Sequence, residues 1–370
     1  MTPLAQSLAL QSVLAWLGHA GEPDLRRRVE DAAELPAIAQ LLHSPAEADG
    51  REGSLEPRAD EQLSSLSRRL GLSPKPFWPD ARPYAVALTH DVDRVLATLH
   101  RARGPQPFGA RARKLAHDLS TAAFKRWHAR NPFYNFERMQ SIERELGIRS
   151  ASYVLFERRR WLRALKNCEP QHVIGVYQPR AIAAELVRYE GQGNEVGLHA
   201  SFSSWNSAVA LRRERQALEQ LGVHEVSGGR THYLNFDERQ TPAAWRATGL
   251  AYDSSIGFNF TVGFRSGTSF PYHIPCGVLE LPLHLMDTTL RFVAPDWSER
   301  RRLAMQMLER VRASGGVLTC NWHFQVMNEH AFPEEMELLR ALIERAKQDG
   351  AWLALPREIA ARWAQRVVTA

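Results

Sequence analysis

Two aspartates follow a short apolar stretch and have the spacing that metal-assisted catalysis uses. Residues 85–88 (Ala-Val-Ala-Leu) lead into residues 89–93 (Thr-His-Asp-Val-Asp). The apolar run predicts a strand buried on both faces, as in a parallel sheet covered by helices. The carboxyl ends of such strands carry active sites, so Asp91 and Asp93 could supply one general base and one metal ligand. A solvated turn is the alternative, because Asp is common after strands.

Histidines and an arginine recur at the ends of later predicted strands. They are His199, Arg230, His232 and His323. Each alone has a structural explanation, such as a hydrogen-bonded core histidine or a capping arginine. Because the carboxyl ends of parallel strands meet at one edge of a sheet, we expect these side chains to share a rim with the two aspartates. Carboxylate and imidazole ligands suit a divalent first-row metal ion, most simply Zn²⁺, with positions left open for water and substrate.

Alternating strand and helix patterns predict the scaffold that positions this rim. Predicted strands cover residues 85–88, 152–156, 195–199, 227–234, 250–255, 278–287, 316–323 and 352–355. Predicted helices cover residues 179–192, 206–221, 242–249, 298–314 and 333–349. This alternation indicates an α/β fold with a parallel sheet and right-handed crossovers, open or closed. Polar residues at one end of strand after strand favour a ring around a single pocket.

Residues 1–80 predict an N-terminal helical accessory segment, followed by the barrel in residues 81–370. Helical spacing of apolar residues runs through 4–17, 24–42 and 61–70, with an exposed linker between the last two. This segment carries no visible chemistry, so we expect a packing or partner-binding role.

A basic connection, residues 94–130, follows the first strand and predicts a long helical insertion. Arginine and lysine alternate there with histidine and aromatic residues. One interpretation is a groove for a polyanionic glycan, a lipid headgroup or nucleic acid, which would allow peripheral membrane contact. The simpler interpretation is an amphipathic helix with a solvated basic face, and we expect no specific nucleic-acid binding.

Composition sets broad bounds on the class of protein. The 370 residues are 44% hydrophobic and 24% charged, as in ordinary globular proteins, and the net charge of +6 is too diffuse to identify a partner. The cysteines, Cys168, Cys276 and Cys320, lack metal-type spacing and predict buried thiols in a reducing compartment. The N-terminus lacks a positive n-region and no run of about 18 apolar residues occurs, so we expect a cytoplasmic protein without a transmembrane segment.

Five short motifs, in order, resemble those of the NodB-homology polysaccharide deacetylases, carbohydrate esterase family 4. They are Thr-His-Asp-Val-Asp (89–93), Gly-Leu-His-Ala-Ser (197–201), Arg-Thr-His-Tyr (230–233), Tyr-Asp-Ser-Ser (252–255) and Trp-His (322–323). The resemblance covers roughly residues 83–360. It implies a distorted (β/α)7 barrel, of the TIM-like type, and a metal-dependent hydrolase that removes acetyl groups from the amino sugars of glycans.

The resemblance also implies roles for individual residues. Asp91 matches the general base, Arg230 the arginine that holds it, and His323 the general acid. Tyr233 matches the residue whose backbone N–H helps to bind the oxyanion, and His199 matches the first histidine of the metal motif.

Two metal positions depart from the family pattern. The second aspartate of the family is replaced by Val92, and the second histidine by Ser203. Asp93 is the obvious substitute for the aspartate. His232 stands where the family has proline, and we infer that it supplies the missing imidazole. The pattern looks like a divergent Thr-His-Asp-Val-Asp subgroup, with Asp93, His199 and His232 as the predicted metal ligands.

The predicted reaction is hydrolysis by metal-activated water, with Asp91 as base and His323 as acid. The predicted partner is an acetylated amino-sugar glycan or a lipid-linked saccharide. Candidate substrate contacts are Trp205, Asp253, Asp287 and Trp322, each of which could equally be structural.

Two other functions fit the same residues. The loss of an aspartate at position 92 and a histidine at position 203 is compatible with a catalytically silent glycan-binding barrel. Related barrels hydrolyse cyclic ureides and amides, so a metal hydrolase acting on another non-peptide C–N bond is a further alternative.

Overall fold

The computed structural model describes residues 3–18, 23–46, 55–95, 133–157 and 177–368. Most of the predicted basic insertion therefore lies outside the described residues, as does Cys168. Within the described part, Cys320 is buried, whereas Cys276 is only partly so, and neither forms a disulfide. No helix in these ranges is both long and apolar enough to cross a membrane.

A mostly parallel sheet forms the centre of the molecule. Its strands are β1 (Ala85–Val92), β2 (Ala151–Leu155), β3 (Glu195–Ala200), β4 (Gly228–Thr231), β5 (Tyr252–Asp253), β6 (Tyr272–His273), β7 (Leu279–Glu280), β8 (Leu285–Met286), β9 (Val317–Asn321) and β10 (Trp352–Leu353). Their order is β6-β7-β5-β4-β3-β2-β1-β9-β8, with β10 also paired to β1. Only the β6–β7 pair is antiparallel among the described strands.

The sheet curls until one segment bridges its two sides. In the segment from β7 to β8, Leu281 N–H donates to Asp253 O of β5, and His284 N–H donates to Thr319 O of β9. Counting β7–β8 as one position, the ring has the seven positions β1, β2, β3, β4, β5, β7–β8 and β9. The predicted distorted (β/α)7 barrel is thus confirmed.

Twelve α-helices of the described residues surround this ring or precede it. They are α1 (Pro3–Leu17), α2 (Pro23–Glu30), α3 (Leu35–His43), α4 (Arg58–Leu70), α5 (Phe136–Glu145), α6 (Ala183–Gly191), α7 (Ala208–Glu219), α8 (Thr241–Arg246), α9 (Asp287–Val293), α10 (Trp297–Ser314), α11 (Pro333–Gln348) and α12 (Pro356–Val368).

Every predicted strand overlaps an observed one, but the strand predicted over 278–287 is two short strands, β7 and β8, and the one predicted over 227–234 ends at Thr231. Several helices also differ. The helix predicted over 24–42 is two helices, α2 and α3, because Pro36 occupies the first turn of α3 and cannot continue a preceding helix. Three helices, α5, α9 and α12, were not predicted. The short antiparallel strand β6 was also missed, since two residues carry no readable periodicity.

The N-terminal helices share the hydrophobic core of the barrel. Trp16 of α1 packs edge-on against Phe270 at 6.2 Å between ring centroids. The buried Asp60 of α4 accepts hydrogen bonds from Thr268 Oγ1 and from the backbone N–H and hydroxyl of Ser269. Residues of α1 to α4 therefore belong to the same packed cluster as the strands. The predicted boundary near residue 80 marks a change of pattern along the chain rather than a gap in the core.

Two tyrosines fill the barrel interior and require glycine opposite them. The hydroxyl groups of Tyr153 and Tyr252 lie 2.9 Å apart, and Tyr252 donates to Glu195 Oε1 at 2.6 Å. A Cβ atom at Gly228 would lie 2.3 Å from Cε1 of Tyr252, well inside van der Waals contact. Glycine at this position lets β4 approach close enough to complete the ring.

We expect Gly228→Ala to lower the free energy of unfolding by about 1–3 kcal/mol, because the added methyl group must displace the Tyr252 ring. Urea denaturation followed by circular dichroism measures this change. Gly191→Ala is the matched control, since nothing lies within 4 Å of a Cβ there, and its effect should stay within about 1 kcal/mol. Equal effects of the two substitutions would contradict the steric explanation.

Candidate active site

Asp91 lies at the end of β1 and is held by two side chains. Its Oδ1 accepts a hydrogen bond from Arg230 Nη1 at 2.8 Å, and its Oδ2 accepts one from Asn321 Nδ2 at 2.9 Å. The side-chain oxygen of Asn321 in turn accepts from the Asp91 backbone N–H at 3.0 Å. These contacts fix the carboxylate from β4 on one side and β9 on the other.

Arg230 is fully buried, and its guanidinium lies over the Tyr153 ring, 5.1 Å from the centroid, and donates to polar groups of the barrel interior. Besides Asp91, its guanidinium donates to Thr89 Oγ1 at 3.1 Å and to the carbonyl and hydroxyl of Ser254 at 2.8 and 3.0 Å. Burial by itself raises the pKa of Asp91, but the neighbouring Arg230 and His199 outweigh it and hold the pKa below its ordinary value. Asp91 is therefore a carboxylate at neutral pH.

Asp93, His199 and His232 bring one potential ligand atom each to the same place. His199 Nε2 lies 3.2 Å from Asp93 Oδ1, and His232 Nε2 lies 3.8 Å from the same oxygen. The three ligand atoms all lie within 4.8 Å of one another. Burial alone raises the pKa of Asp93, but the surrounding imidazoles reverse this and hold it well below its ordinary value.

The ring of His199 is oriented by the backbone of β4. Its Nδ1 lies 2.9 Å from Arg230 O, so Nδ1 carries the proton and donates to this carbonyl. Nε2 then presents its lone pair towards Asp93. This is the arrangement that metal-binding histidines use, with the second nitrogen held by a backbone acceptor.

A strained turn after β4 delivers His232 to the cluster. Tyr233 and Leu234 follow it with φ angles of 59° and 50°, a left-handed conformation that is uncommon for residues other than glycine. Asn259 Nδ2 donates to Tyr233 O at 3.0 Å and ties this turn to the loop after β5. The Tyr233 ring packs on His232 at 4.3 Å between centroids and is 47% exposed at the mouth.

His323 faces the cluster from β9 and is paired with a buried carboxylate. Its Nδ1 lies 2.6 Å from Asp287 Oδ1, and its backbone N–H donates to the same oxygen at 3.1 Å. Its Nε2 lies 3.8 Å from Asp93 Oδ2. Burial lowers the pKa of His323, but the Asp287 carboxylate, together with Asp93 and Asp91, outweighs burial and raises the pKa to about 9. His323 is thus a protonated imidazole at neutral pH in the metal-free protein.

The residues of this cluster fit a divalent cation. Asp93 Oδ1 is buried and accepts no hydrogen bond from the described residues. The Nε2 atoms of His199 and His232 nevertheless lie 3.2 and 3.8 Å from it. One carboxylate and two imidazoles form a donor set that catalytic zinc sites use, with positions left for water and substrate.

The predicted site residues therefore divide into two groups. The structure brings together Asp91, Asp93, His199, Arg230, His232, Tyr233 and His323 at the mouth of the barrel. Asp287 also lies there, but it contacts His323 instead of open space. Trp205 is partly buried on the turn that follows β3.

Two predicted substrate contacts are contradicted by the structure. Trp322 is 0% exposed, and its indole N–H donates to Glu335 O at 2.9 Å, so its ring has no open face for a sugar. Asp253 is also 0% exposed, and its Oδ1 accepts from Ser254 N–H and from the Ser255 hydroxyl. Both residues stabilise the barrel beneath the site.

Sequence reasoning missed two polar residues of the site, Asn321 and Glu157. Asn321 lies two residues before His323, and side chains at i and i+2 of a strand share a face, so this spacing could have identified it. Glu157 comes just after β2, as Asp93 comes just after β1, and its Oε2 lies 3.6 Å from His232 Nδ1. The rule that singled out Asp93 would have singled out Glu157 as well.

Asp253 forms a buried carboxyl pair with Glu280, its register partner on β7. Asp253 Oδ2 and Glu280 Oε2 are both buried without a hydrogen-bond donor among the described residues, and one proton between the two groups would satisfy both. Burial, the largest effect on each, raises the pKa of Asp253 to about 7 and that of Glu280 well above its ordinary value. The pair is therefore protonated over part of the physiological range.

Comparison with known proteins gives matches at the level of structure only. No protein-family model and no curated protein matches the sequence. A protein of Mycobacterium smegmatis assigned as a polysaccharide deacetylase is 22% identical, with a TM-score of 0.49, over 78% of this chain and 93% of that one. One of Pseudomonas aeruginosa PAO1 with the same assignment is 16% identical, with a TM-score of 0.49, over 80% and 95%.

The allantoinase PuuE is also similar, at 15% identity and a TM-score of 0.46, over 79% of this chain and 94% of that one. Two of these three proteins thus carry the assignment of the family that the sequence motifs resemble. The identities are below 25% and the TM-scores below 0.5. The chemistry of this chain is therefore inferred from the residues of its own site.

We expect His323 to titrate near pH 9 in the metal-free protein and to fall towards 6.5 in Asp287→Asn, because the variant loses the carboxylate that stabilises the imidazolium. NMR titration of the ring protons measures both values, with His323→Gln to assign the resonance. The pair stabilises the fold fully below pH 6.5 and loses this contribution as pH rises through 9. An unchanged midpoint in Asp287→Asn would contradict the pairing.

We expect the free energy of unfolding of Asp253→Asn, relative to that of the unchanged protein, to rise by more than about 1 kcal/mol between pH 4 and pH 8. Because the pKa of Asp253 in the folded protein is raised to about 7, its protonated carboxyl group stabilises the fold fully at a pH below the pKa of the unfolded chain. This contribution is lost as pH rises through 7. Urea unfolding across this pH range measures the difference. Asp31→Asn, at an exposed aspartate, is the control, and its difference in stability from the unchanged protein should be the same at every pH.

Proposed function

We propose that this chain is a divergent NodB-homology hydrolase, a metal-dependent deacetylase that removes acetyl groups from amino sugars. The observation that carries the proposal is the convergence of Asp93, His199 and His232, with Asp91 and His323 on either side. A cation site flanked by a carboxylate base and an imidazolium acid is the minimal arrangement for hydrolysis of an amide bond.

Asp93, His199 and His232 would hold the divalent cation, most simply Zn²⁺. When bound, such an ion polarises the acetyl carbonyl and makes a neighbouring water molecule a stronger nucleophile. His199 is prepared for this role because its Nδ1 proton is committed to Arg230 O, which leaves Nε2 as a lone-pair donor. Asp93 contributes the charge that attracts the cation.

Asp91 would take the proton from the attacking water. Its carboxylate is anionic because Arg230 stabilises the charge, and both oxygens are fixed by hydrogen bonds. A base held in this way needs little reorganisation at the moment of proton transfer. Arg230 acts through Asp91 and is therefore a positioning residue.

His323 would donate a proton to the departing sugar amine. Asp287 keeps the imidazole protonated and fixes the ring so that Nε2 faces the cluster. Asp91 and His323 thus have opposite protonation states at neutral pH, as an acid–base pair requires. The Tyr233 backbone N–H is proposed, from the family motif, as a donor to the oxyanion.

The proposed substrate is an acetylated amino-sugar glycan or a lipid-linked saccharide. Exposed aromatic rings around the mouth support a ligand with apolar faces. Phe260 follows Asn259, which binds the Tyr233 turn, and packs on Phe292 of α9 at 5.2 Å between ring centroids. Phe260 and Phe292 are 40% and 57% exposed. A cytoplasmic location remains a prediction from sequence alone.

Metal content and acetate release, measured together, test this function. The unchanged protein should bind about one Zn²⁺ per chain and release acetate from N-acetylated oligosaccharides. His199→Ala and His232→Ala should each weaken Zn²⁺ binding by at least the 10–100-fold typical of losing an outer partner of a metal ligand, and should abolish acetate release. His224→Ala, at an exposed histidine before β4, is the matched control, because the cluster lies at the opposite end of that strand, and it should behave as the unchanged protein.

Three other outcomes would each change the conclusion. Loss of both properties in His199→Ala but neither in His232→Ala would remove His232 from the ligand set. Glycan binding without Zn²⁺ or acetate release would support a catalytically silent barrel. Hydrolysis of cyclic ureides or small amides, with acetylated sugars untouched, would support a hydrolase of another C–N bond.

A further inference from the structure

The three histidines of the site differ in what holds their Nδ1 atoms. His199 donates from Nδ1 to a backbone carbonyl, and His323 donates to the Asp287 carboxylate. The Nδ1 atom of His232 is buried and has no hydrogen-bond partner within the described residues. Among the described residues, the charged group next to it is Glu157, whose Oε2 lies 3.6 Å away.

Glu157 is fixed in place by the main chain. It lies just after β2, is 6% exposed, and accepts a hydrogen bond at Oε2 from the Phe202 backbone N–H at 2.8 Å. This hydrogen bond joins the end of β2 to the turn after β3. The carboxylate oxygen near His232 is therefore a rigid part of the site rather than the end of a mobile side chain.

The contact with Glu157 selects one tautomer of His232. In a buried setting, a carboxylate oxygen at 3.6 Å attracts an N–H on Nδ1 and repels a lone pair there. At this distance the contact is electrostatic and longer than a hydrogen bond. Asp93 Oδ1 attracts a proton on Nε2 in the same way, but it lies farther away, at 3.8 Å, and its charge is shared with His199 Nε2 at 3.2 Å. The nearer Glu157 therefore favours the proton on Nδ1, which leaves Nε2 unprotonated and directed towards Asp93.

We propose that Glu157 is a positioning residue that holds His232 in its Nδ1–H tautomer and thereby sets the affinity of the Asp93–His199–His232 site for a divalent cation. This inference rests on the proposed function, because it treats His232 as a cation ligand. Carboxylate partners of ligating histidines fix the ring and raise its basicity, and their loss typically weakens metal binding 10–100-fold.

A neighbouring buried carboxylate has a purely structural role and provides the comparison. Glu214 of α7 accepts hydrogen bonds from the Ser201 backbone N–H and hydroxyl and from the Ser204 hydroxyl. It fixes the turn after β3, as Glu157 does through Phe202, but its described hydrogen bonds go to Ser201 and Ser204 and not to His232. Removing its charge therefore changes the local field and leaves the His232 contact in place.

The test compares Glu157→Gln with Glu214→Gln. Glutamine at position 157 keeps an oxygen for Phe202 N–H but removes the negative charge, because the oxygen that accepts from Phe202 is also the one that faces His232 Nδ1. Without that charge, the Asp93 carboxylate near Nε2 favours the proton on Nε2 instead. We expect Zn²⁺ affinity, measured by competition with a chromophoric chelator, to fall 10–100-fold in Glu157→Gln and by less than about threefold in Glu214→Gln. Long-range ¹H–¹⁵N NMR of the metal-free proteins should show His232 change from the Nδ1–H to the Nε2–H tautomer only in Glu157→Gln.

Unchanged Zn²⁺ affinity in a folded Glu157→Gln protein, or an Nε2–H tautomer of His232 in the unchanged protein, would overturn the proposal. Should Glu157→Gln not fold, Glu157→Asp withdraws the carboxylate from His232 by one methylene and should give the same two changes to a smaller extent. If the unchanged protein binds no Zn²⁺, the proposed function fails, while the tautomer measurement still decides whether Glu157 controls His232.

Discussion

The buried ion pair between Arg230 and Asp91 is the interaction on which the rest of the site depends. Arg230 is 0% exposed, and burying a guanidinium is tolerable only when its donors are satisfied. Its side chain reaches Asp91 of β1 and Ser254 beyond β5, and its carbonyl accepts the Nδ1 proton of His199. One residue of β4 thus fixes the proposed base through its side chain and a proposed ligand through its backbone. Replacing its side chain would leave Asp91 without its guanidinium partner, whereas the backbone carbonyl that orients His199 would remain.

The imidazoles of the site differ in the acceptor that lies next to Nδ1. A neutral carbonyl next to His199 orients the ring without adding negative charge, which suits a lone-pair donor. A carboxylate next to His323 stabilises the imidazolium and raises its pKa to about 9, which suits an acid. The group that contacts Nδ1 therefore decides whether an imidazole of this site suits the role of ligand or of acid. The third imidazole, His232, has a carboxylate at a longer distance. Glu157 lies 3.6 Å from its Nδ1, while its Nε2 faces Asp93.

The two departures from the family motif have a common geometric basis. Side chains alternate between the faces of a strand, so Asp93 can face the same mouth as Asp91, while Val92 between them is buried in the core. His232 comes from the strand next to His199, and the left-handed residues that follow it turn the chain at the rim. In the proposed function, the positions that differ from the family motif are compensated from neighbouring points of one ring. This is the pattern expected where the geometry of a site is retained while its residues change.

The sequence by itself determined the strand–helix alternation, the barrel class and the set of polar residues at strand ends, because periodicity and strand-end chemistry are local properties. Which of those residues meet was decided by the tertiary structure. Trp322 and Asp253 lie at strand ends like the others, yet the barrel encloses both, and Asp287 was placed against His323 instead of at an open surface. Glu157 acquires its role only because the ring brings β2 beside the turn after β4. Burial and the choice of partner depend on residues distant along the chain, such as the 36 positions between Asp287 and His323, and no local pattern encodes them.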